Sequence, residues 1–76
     1  MELTLDCRNS MGQIHMQLAE ALHFPDWYGN NLDALHDCLA AVSQELRIML
    51  IDPDRQPLLV RVLHDCASEN PNILIK

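Results

Sequence analysis

Positive charge is scarce in this chain. Five Lys and Arg stand against eleven Asp and Glu, a formal net charge of −6. So acidic a surface repels nucleic acid and anionic membrane and favours encounter with a basic partner. Long apolar runs are missing as well. Hydrophobic stretches are broken every few residues by Asp, Glu, His or Arg, which excludes a bilayer-spanning helix of about 20 residues. The opening Met1-Glu-Leu-Thr-Leu-Asp6 has neither the basic start nor the apolar core of a signal peptide, so a cytoplasmic protein is expected. No segment repeats, and none is rich enough in Gly, Ser or Pro to read as a linker. Cysteine is present three times, an odd count that reads as free thiols in an unexported chain. Cys38 and Cys66 fall among helical apolar positions, where Cys behaves as a small buried hydrophobe.

What is there suffices for one domain, residues 1–76, in which 49% of residues are hydrophobic. A chain of this length buries only about 60% of its unfolded surface, so its core is thin. Glu2 to Asp6 alternates polar and apolar residues and reads as a strand with Leu3 and Leu5 facing the core. Ser10 and Gln13 have the spacing of a capping box. The helix they open carries Met11, Ile14, Leu18 and Leu22 inward and must stop before Pro25. Asp26 to Asn30 is a loop, in which Gly29 is free to take a backbone angle other residues resist.

A second helix, capped by Asn30 or Asn31, turns Leu32, Leu35, Leu39 and Val42 inward with Cys38 beside them. Leu46 to Ile51 reads as the central strand and Asp52-Pro-Asp as the turn out of it. Pro57 belongs in a first helical turn. The third helix is therefore predicted to start near Asp54 to Gln56, with Leu58, Leu59, Val62, Leu63 and Cys66 inward. Asn70-Pro-Asn72 breaks it, and Ile73 to Ile75 is a last strand. Strands separated by helices give an α/β fold, a small three-stranded parallel sheet packed with about three helices.

Asp33 and Asp37 lie four residues apart on the second helix and share a face. Like charges at that spacing cost an isolated helix about 0.2–0.5 kcal/mol. The helix dipole offsets part of this at Asp33, in the first turn, and little of it at Asp37. The only Trp and the only Tyr of the chain, Trp27 and Tyr28, lie together in the loop feeding this helix. Aromatic anchors beside a charged centre have the composition of a binding hot spot. On spacing alone an ordinary solvated acidic face is the favoured reading. One of the two rings is expected to plug the core, but not both.

The stretch Phe24-Pro-Asp-Trp-Tyr-Gly-Asn-Asn-Leu-Asp-Ala-Leu-His-Asp-Cys-Leu39 resembles the signature of the barstar family, intracellular inhibitors of barnase-type guanyl-specific ribonucleases. In that family it reads LPEYYGENLDALWDCL, and eleven of the sixteen positions are identical without a gap. The resemblance implies a ribonuclease inhibitor with a barstar-like fold and a basic ribonuclease as partner. It makes Asp37 the main contact acid, the one that enters the nuclease's phosphate site, and Asp33 a second acid facing the nuclease. Trp27 takes the place of an interface Tyr, and Gly29 and Asn31 match contact positions in the loop. Counted back from the terminal strand, Asp65 falls where the family has an acidic residue on its last helix.

The chain also departs from the family. His36 stands where the family has Trp, exchanging apolar area for a smaller, polar imidazole. Ala41-Val42 replace a Gly-Trp pair, and the connection after Ile51 is shorter, without the family's short helix.

Two other chemistries are disfavoured. His-Asp-Cys occurs at His36 to Cys38 and again at His64 to Cys66. Residues two apart on a helix diverge by about 200°, so neither pair chelates a metal. The same divergence defeats a catalytic Cys-His pair, and no phosphate loop or nucleophile motif is present. The expectation is a non-enzymatic protein, without cofactor or metal and monomeric when free. A binding module or immunity protein directed at a partner other than a ribonuclease would share the same fold.

Overall fold

In the computed structural model, which describes residues 1–76, the first strand forms over Glu2–Asp6 (β1). It is followed by α1 (Met11–Leu22), α2 (Leu32–Ala40) and β2 (Leu46–Ile51). A 3₁₀ turn (Pro53–Arg55), α3 (Pro57–Glu69) and β3 (Ile73–Ile75) complete the chain. The sheet is parallel throughout, in the order β1-β2-β3. The α/β class expected from the sequence is the one observed.

The capping box predicted for α1 is closed in both directions. The Gln13 backbone N–H donates to Ser10 Oγ at 3.2 Å, and the Ser10 N–H donates to Gln13 Oε1 at 3.1 Å. The helix ends on His23 in the left-handed region (φ 55°), which lets the His23 and Phe24 N–H groups both reach the Ala19 carbonyl. Asn31, rather than Asn30, caps α2 through a 2.8 Å bond from the Ala34 N–H to Oδ1.

Side chains alternate across the sheet. Leu5, Leu46, Ile48 and Ile73 are buried beneath the helices, whereas Thr4, Arg47, Met49, Ile51 and Leu74 are exposed on the other face. The helices therefore cover one face only. They join the strands in a single cluster of twelve buried residues, including Ile14, Leu18, Leu35, Leu39, Leu59, Leu63 and the thiols Cys7 and Cys66. Each Leu or Ile fully buried in this way contributes about 1.5–3 kcal/mol. No helix is long and apolar enough to cross a membrane.

Two expectations about α3 are corrected. The helix starts at Pro57, because Asp52 in the left-handed region (φ 50°) and the 3₁₀ turn use up the preceding residues. Leu58 is 67% exposed. It lies in the first turn, beside a core already filled by Leu59 and Leu63, so it was wrongly placed on the inner face. Gly29 is also corrected. Its φ is not positive, and the left-handed residue of the loop is Asn30 (φ 53°). A Cβ at 29 would lie 2.9 Å from Asn31 Nδ2, so a larger residue there would have to shift the side chain that caps α2.

The end of α2 is held by a buried amide. Asn70 Nδ2 donates to the carbonyls of Leu39 (3.1 Å) and Val42 (2.8 Å), and Asn70 Oδ1 accepts from the Asn72 N–H at 3.0 Å. Replacing Asn70 by Ala strips both carbonyls of this donor, and urea denaturation is expected to show a loss of about 1–3 kcal/mol. Ser68→Ala, on the exposed side of α3, should stay within about 0.5 kcal/mol of the wild type.

Candidate functional site

The aromatic pair of the loop divides between core and solvent. Tyr28 packs inward against Phe24, with ring centroids 4.8 Å apart, and its hydroxyl is hydrogen-bonded to Nδ1 of His15. His15 is 3% exposed on α1. Burial lowers the pKa of His15 and pushes that of Tyr28 up to about 12, with the Cys38 thiol a lesser influence on Tyr28. The pair is therefore neutral at pH 7 and ties the loop to α1 without placing a charge in the core. Nothing in the sequence pattern singled out His15, because an imidazole on the inner stripe of a helix has no signature of its own.

With Tyr28 anchored, Trp27 points the other way and is 66% exposed. Gly29 and Asn31 are also exposed. The Asn31 carbonyl oxygen is committed to the cap of α2, so what it can offer a partner is Nδ2. Asp33 and Asp37 are both exposed on α2, one turn apart, while Leu35, Cys38 and Leu39 on the same helix are buried. Asp37 and Trp27 line one shared groove. The Cys38 thiol is pushed up in pKa by burial first and by the Asp37 carboxylate second, so it stays protonated.

His36 is half-buried beside the acids. Its Nε2 lies 3.2 Å from Glu69 Oε2 at the end of α3. Both side chains are too exposed for this contact to add much stability, but it brings a carboxylate from α3 to the edge of the α2 face. Glu69 was not anticipated from the sequence. Asp65, which was, is exposed on α3 one turn before Glu69. Trp27, Asp33, His36, Asp37 and Glu69 thus give α2, its entry loop and the end of α3 an acidic surface with one exposed ring. No Lys or Arg of the chain is ion-paired to these acids; the recorded arginine pairs involve Arg8 and Arg47, with Glu2, Asp6, Glu45 and Asp52.

The sequence model of the family described as Barstar (barnase inhibitor) matches residues 1–72 of the chain. The chain is also similar to a protein of Bacillus subtilis (strain 168) described as "Putative ribonuclease inhibitor YrdF". The two are 62% identical over 26 residues, a match that spans 34% of this chain and 29% of that protein.

The neutral His15 makes stability depend on pH. In the unfolded chain the imidazole binds a proton near pH 6.5, whereas in the folded chain it does so only at lower pH. Between these values the unfolded state holds more protons, so stability is full above about pH 6.5 and falls as the pH drops. Urea midpoints at pH 7.5 and 5.0 are expected to differ, with a slope of at most about 1.4 kcal/mol per pH unit. His15→Gln should remove that slope. Asp6, held down to about 2 chiefly by its side-chain bond to Arg8, titrates well below this window.

Proposed function

The chain belongs to the barstar family, and on that premise we propose that it inhibits a secreted barnase-type guanyl-specific ribonuclease by covering the enzyme's active site. The observation that carries the reading is that Trp27 and Asp37 line one groove, with Asp33 exposed one turn before Asp37. A ribonuclease active site gathers cationic side chains to hold phosphate and to stabilise the charge that develops in cleavage. A carboxylate on a rigid helix accepts charge-assisted hydrogen bonds from those groups, in bidentate form where an arginine presents its fork. In this mechanism Asp37 replaces the substrate phosphate. Asp33 and Asp65 extend the contact on either side, His36 fills the centre, and Trp27, Gly29 and Asn31 form the loop border.

The carboxylates need little rearrangement to bind. They are presented to solvent by a helix whose inner face is locked into the core, so the backbone that carries them is already ordered. The net charge of −6 accelerates encounter with a basic enzyme, and the desolvated pairs slow release. The inhibitor performs no reaction of its own. We place it in the cytoplasm, as a monomer until the nuclease binds.

A second reading keeps the same face and changes the partner: an immunity protein or binding module directed at a protein other than a ribonuclease. His36 and Val42, where the family has Trp, favour it, because both changes remove aromatic contact area.

Titration of a barnase-type ribonuclease with the purified protein separates the two readings. Inhibition is expected, and Asp37→Ala should weaken it by about 2–5 kcal/mol, the range for truncating one member of a buried charge pair, to which barnase–barstar measurements themselves contributed. Glu20→Ala, on the exposed side of α1, should inhibit like the wild type. Full inhibition by the Asp37→Ala protein would exclude phosphate mimicry, and absence of inhibition by the wild type would favour the second reading. Stopped-flow association should slow steeply as ionic strength rises, since the Debye length shrinks from about 30 Å at 0.01 M to about 10 Å at 0.1 M.

A further inference from the structure

The two edges of the sheet are finished differently. Along β1 the outward-facing Thr4 carbonyl accepts from Gln17 Nε2 of α1 at 2.8 Å, so that edge is blunted by its own helix. On β3 the bonds to β2 set the alternation. The Leu46 N–H donates to the Asn72 carbonyl, the Lys76 N–H to the Ile48 carbonyl and the Leu50 N–H to the Lys76 carbonyl. Even-numbered residues of this stretch therefore face β2. The Ile73 carbonyl and both backbone groups of Ile75 point outward, where no partner meets them. No strand lies beyond β3.

A shallow groove lies beside this edge, running from the 3₁₀ turn along α3 to the end of β3. Its floor is Leu50, Val60 and Ile75, all half-buried. Arg61 and His64, three residues apart on α3 and hence on one face, line it and are exposed. Lys76 borders it at the end of β3 and, by strand alternation, stands with Leu74 on the open face of the sheet. None of these three takes part in an ion pair, since the pairs within the chain involve Arg8, Arg47 and His36. Asp54 also lines the groove without pairing to any of them. In a chain so poor in positive charge, an open strand edge is thus flanked by unpaired cations on both sides.

We propose that β3 is a docking edge for an extended acidic segment of a partner protein, which adds a fourth strand to the sheet. Main-chain bonds to Ile73 and Ile75 supply the attachment, and charge supplies the choice of segment. Side chains of an added strand alternate between the two faces. On the helix side they meet Arg61 and His64 above the apolar floor, and on the open side they meet Lys76 beside Leu74. Carboxylates on either face therefore find cations, whereas a basic segment is repelled from both. A second copy of the chain is a poorer occupant, because its β1 edge is already bonded to Gln17 and two β3 edges would bring their cations together. None of these residues belongs to the face assigned to inhibition, so the inference stands apart from the nuclease reading.

The edge is tested with the peptide acetyl-Val-Glu-Glu-Val-Glu-amide, its counterpart with Lys in place of Glu, and the acidic peptide methylated on two successive backbone nitrogens. The Ile75 amide is the readout, because its N–H is unpartnered until a strand is added. Millimolar acidic peptide is expected to shift its resonance saturably, and to slow its exchange about tenfold at about ten times the Kd. The basic and the methylated peptides should each bind at least about fivefold more weakly. Arg61→Gln and Lys76→Gln, both at exposed positions, should each weaken the acidic peptide about two- to fivefold and leave the urea midpoint unchanged. Asp37→Ala should bind it like the wild type.

Several results would overturn the proposal. They are no saturable shift, equal binding of the basic peptide, unchanged binding by both cation variants, or loss of binding in Asp37→Ala. Equal binding of the methylated peptide would make the contact electrostatic without strand addition. Protection of Ile75 that grows with protein concentration alone would make the occupant a second copy. A wild type that inhibits a barnase-type ribonuclease but shows no Ile75 shift fails this inference alone. One that binds the acidic peptide but inhibits no ribonuclease fails only the nuclease reading.

Discussion

The last carbonyls of a helix have no i+4 partner within it, and at the end of α2 the carbonyl of the fully buried Leu39 takes one of its bonds from another element. Asn70 meets that constraint. Its amide reaches back from the end of α3 to the Leu39 and Val42 carbonyls and at the same time holds the Asn72 N–H at the entry to β3. One side chain therefore fixes the end of α2, the end of α3 and the start of the last strand relative to one another. The functional reading of the chain depends on this junction. Asp37 lies in the last turns of α2, and Glu69, which contacts His36, immediately precedes Asn70.

A second anchor acts at the other end of the same helix. The Tyr28 hydroxyl and His15 satisfy one another beneath the loop, and Phe24 packs on the Tyr28 ring. Because Tyr28 is drawn inward, its neighbour Trp27 is turned out. Gly29 then passes close enough to Asn31 that a Cβ would press on its side-chain amide, and Asn31 starts α2. The exposed ring and the exposed acids are in this way consequences of groups that are themselves buried or capping. A neutral His–Tyr pair suits that task, since a charged anchor at this depth would have to be desolvated. Its consequence is a stability that falls below about pH 6.5.

Much of the fold was legible because its signals are local. The capping box at Ser10 and Gln13, the apolar spacing of Ile14, Leu18 and Leu22, and the branched run at β2 each specify an element without reference to the rest of the chain. The start of α3 was less legible, because a left-handed Asp52 and a 3₁₀ turn have weak signatures beside a proline that suits either kind of helix. Leu58 was misplaced for a related reason: helical periodicity gives a stripe, and only packing decides where along its edge the core stops. At the candidate site, the pairing of Asp33 with Asp37 followed from spacing and the weight given to Asp37 from family resemblance. Glu69 was invisible, because its approach to His36 depends on the packing of α3 against α2.

By itself, the sequence determined the element order, the parallel α/β architecture, the acidic character of the second helix and the kinship of the Phe24–Leu39 segment. All of these depend on residues close together in the chain. The tertiary structure alone decided which aromatic of the loop faces solvent, which histidine is buried, and that Trp27 and Asp37 share a groove. Each of these is settled by contacts between segments far apart in sequence, whose relative placement local propensity does not encode.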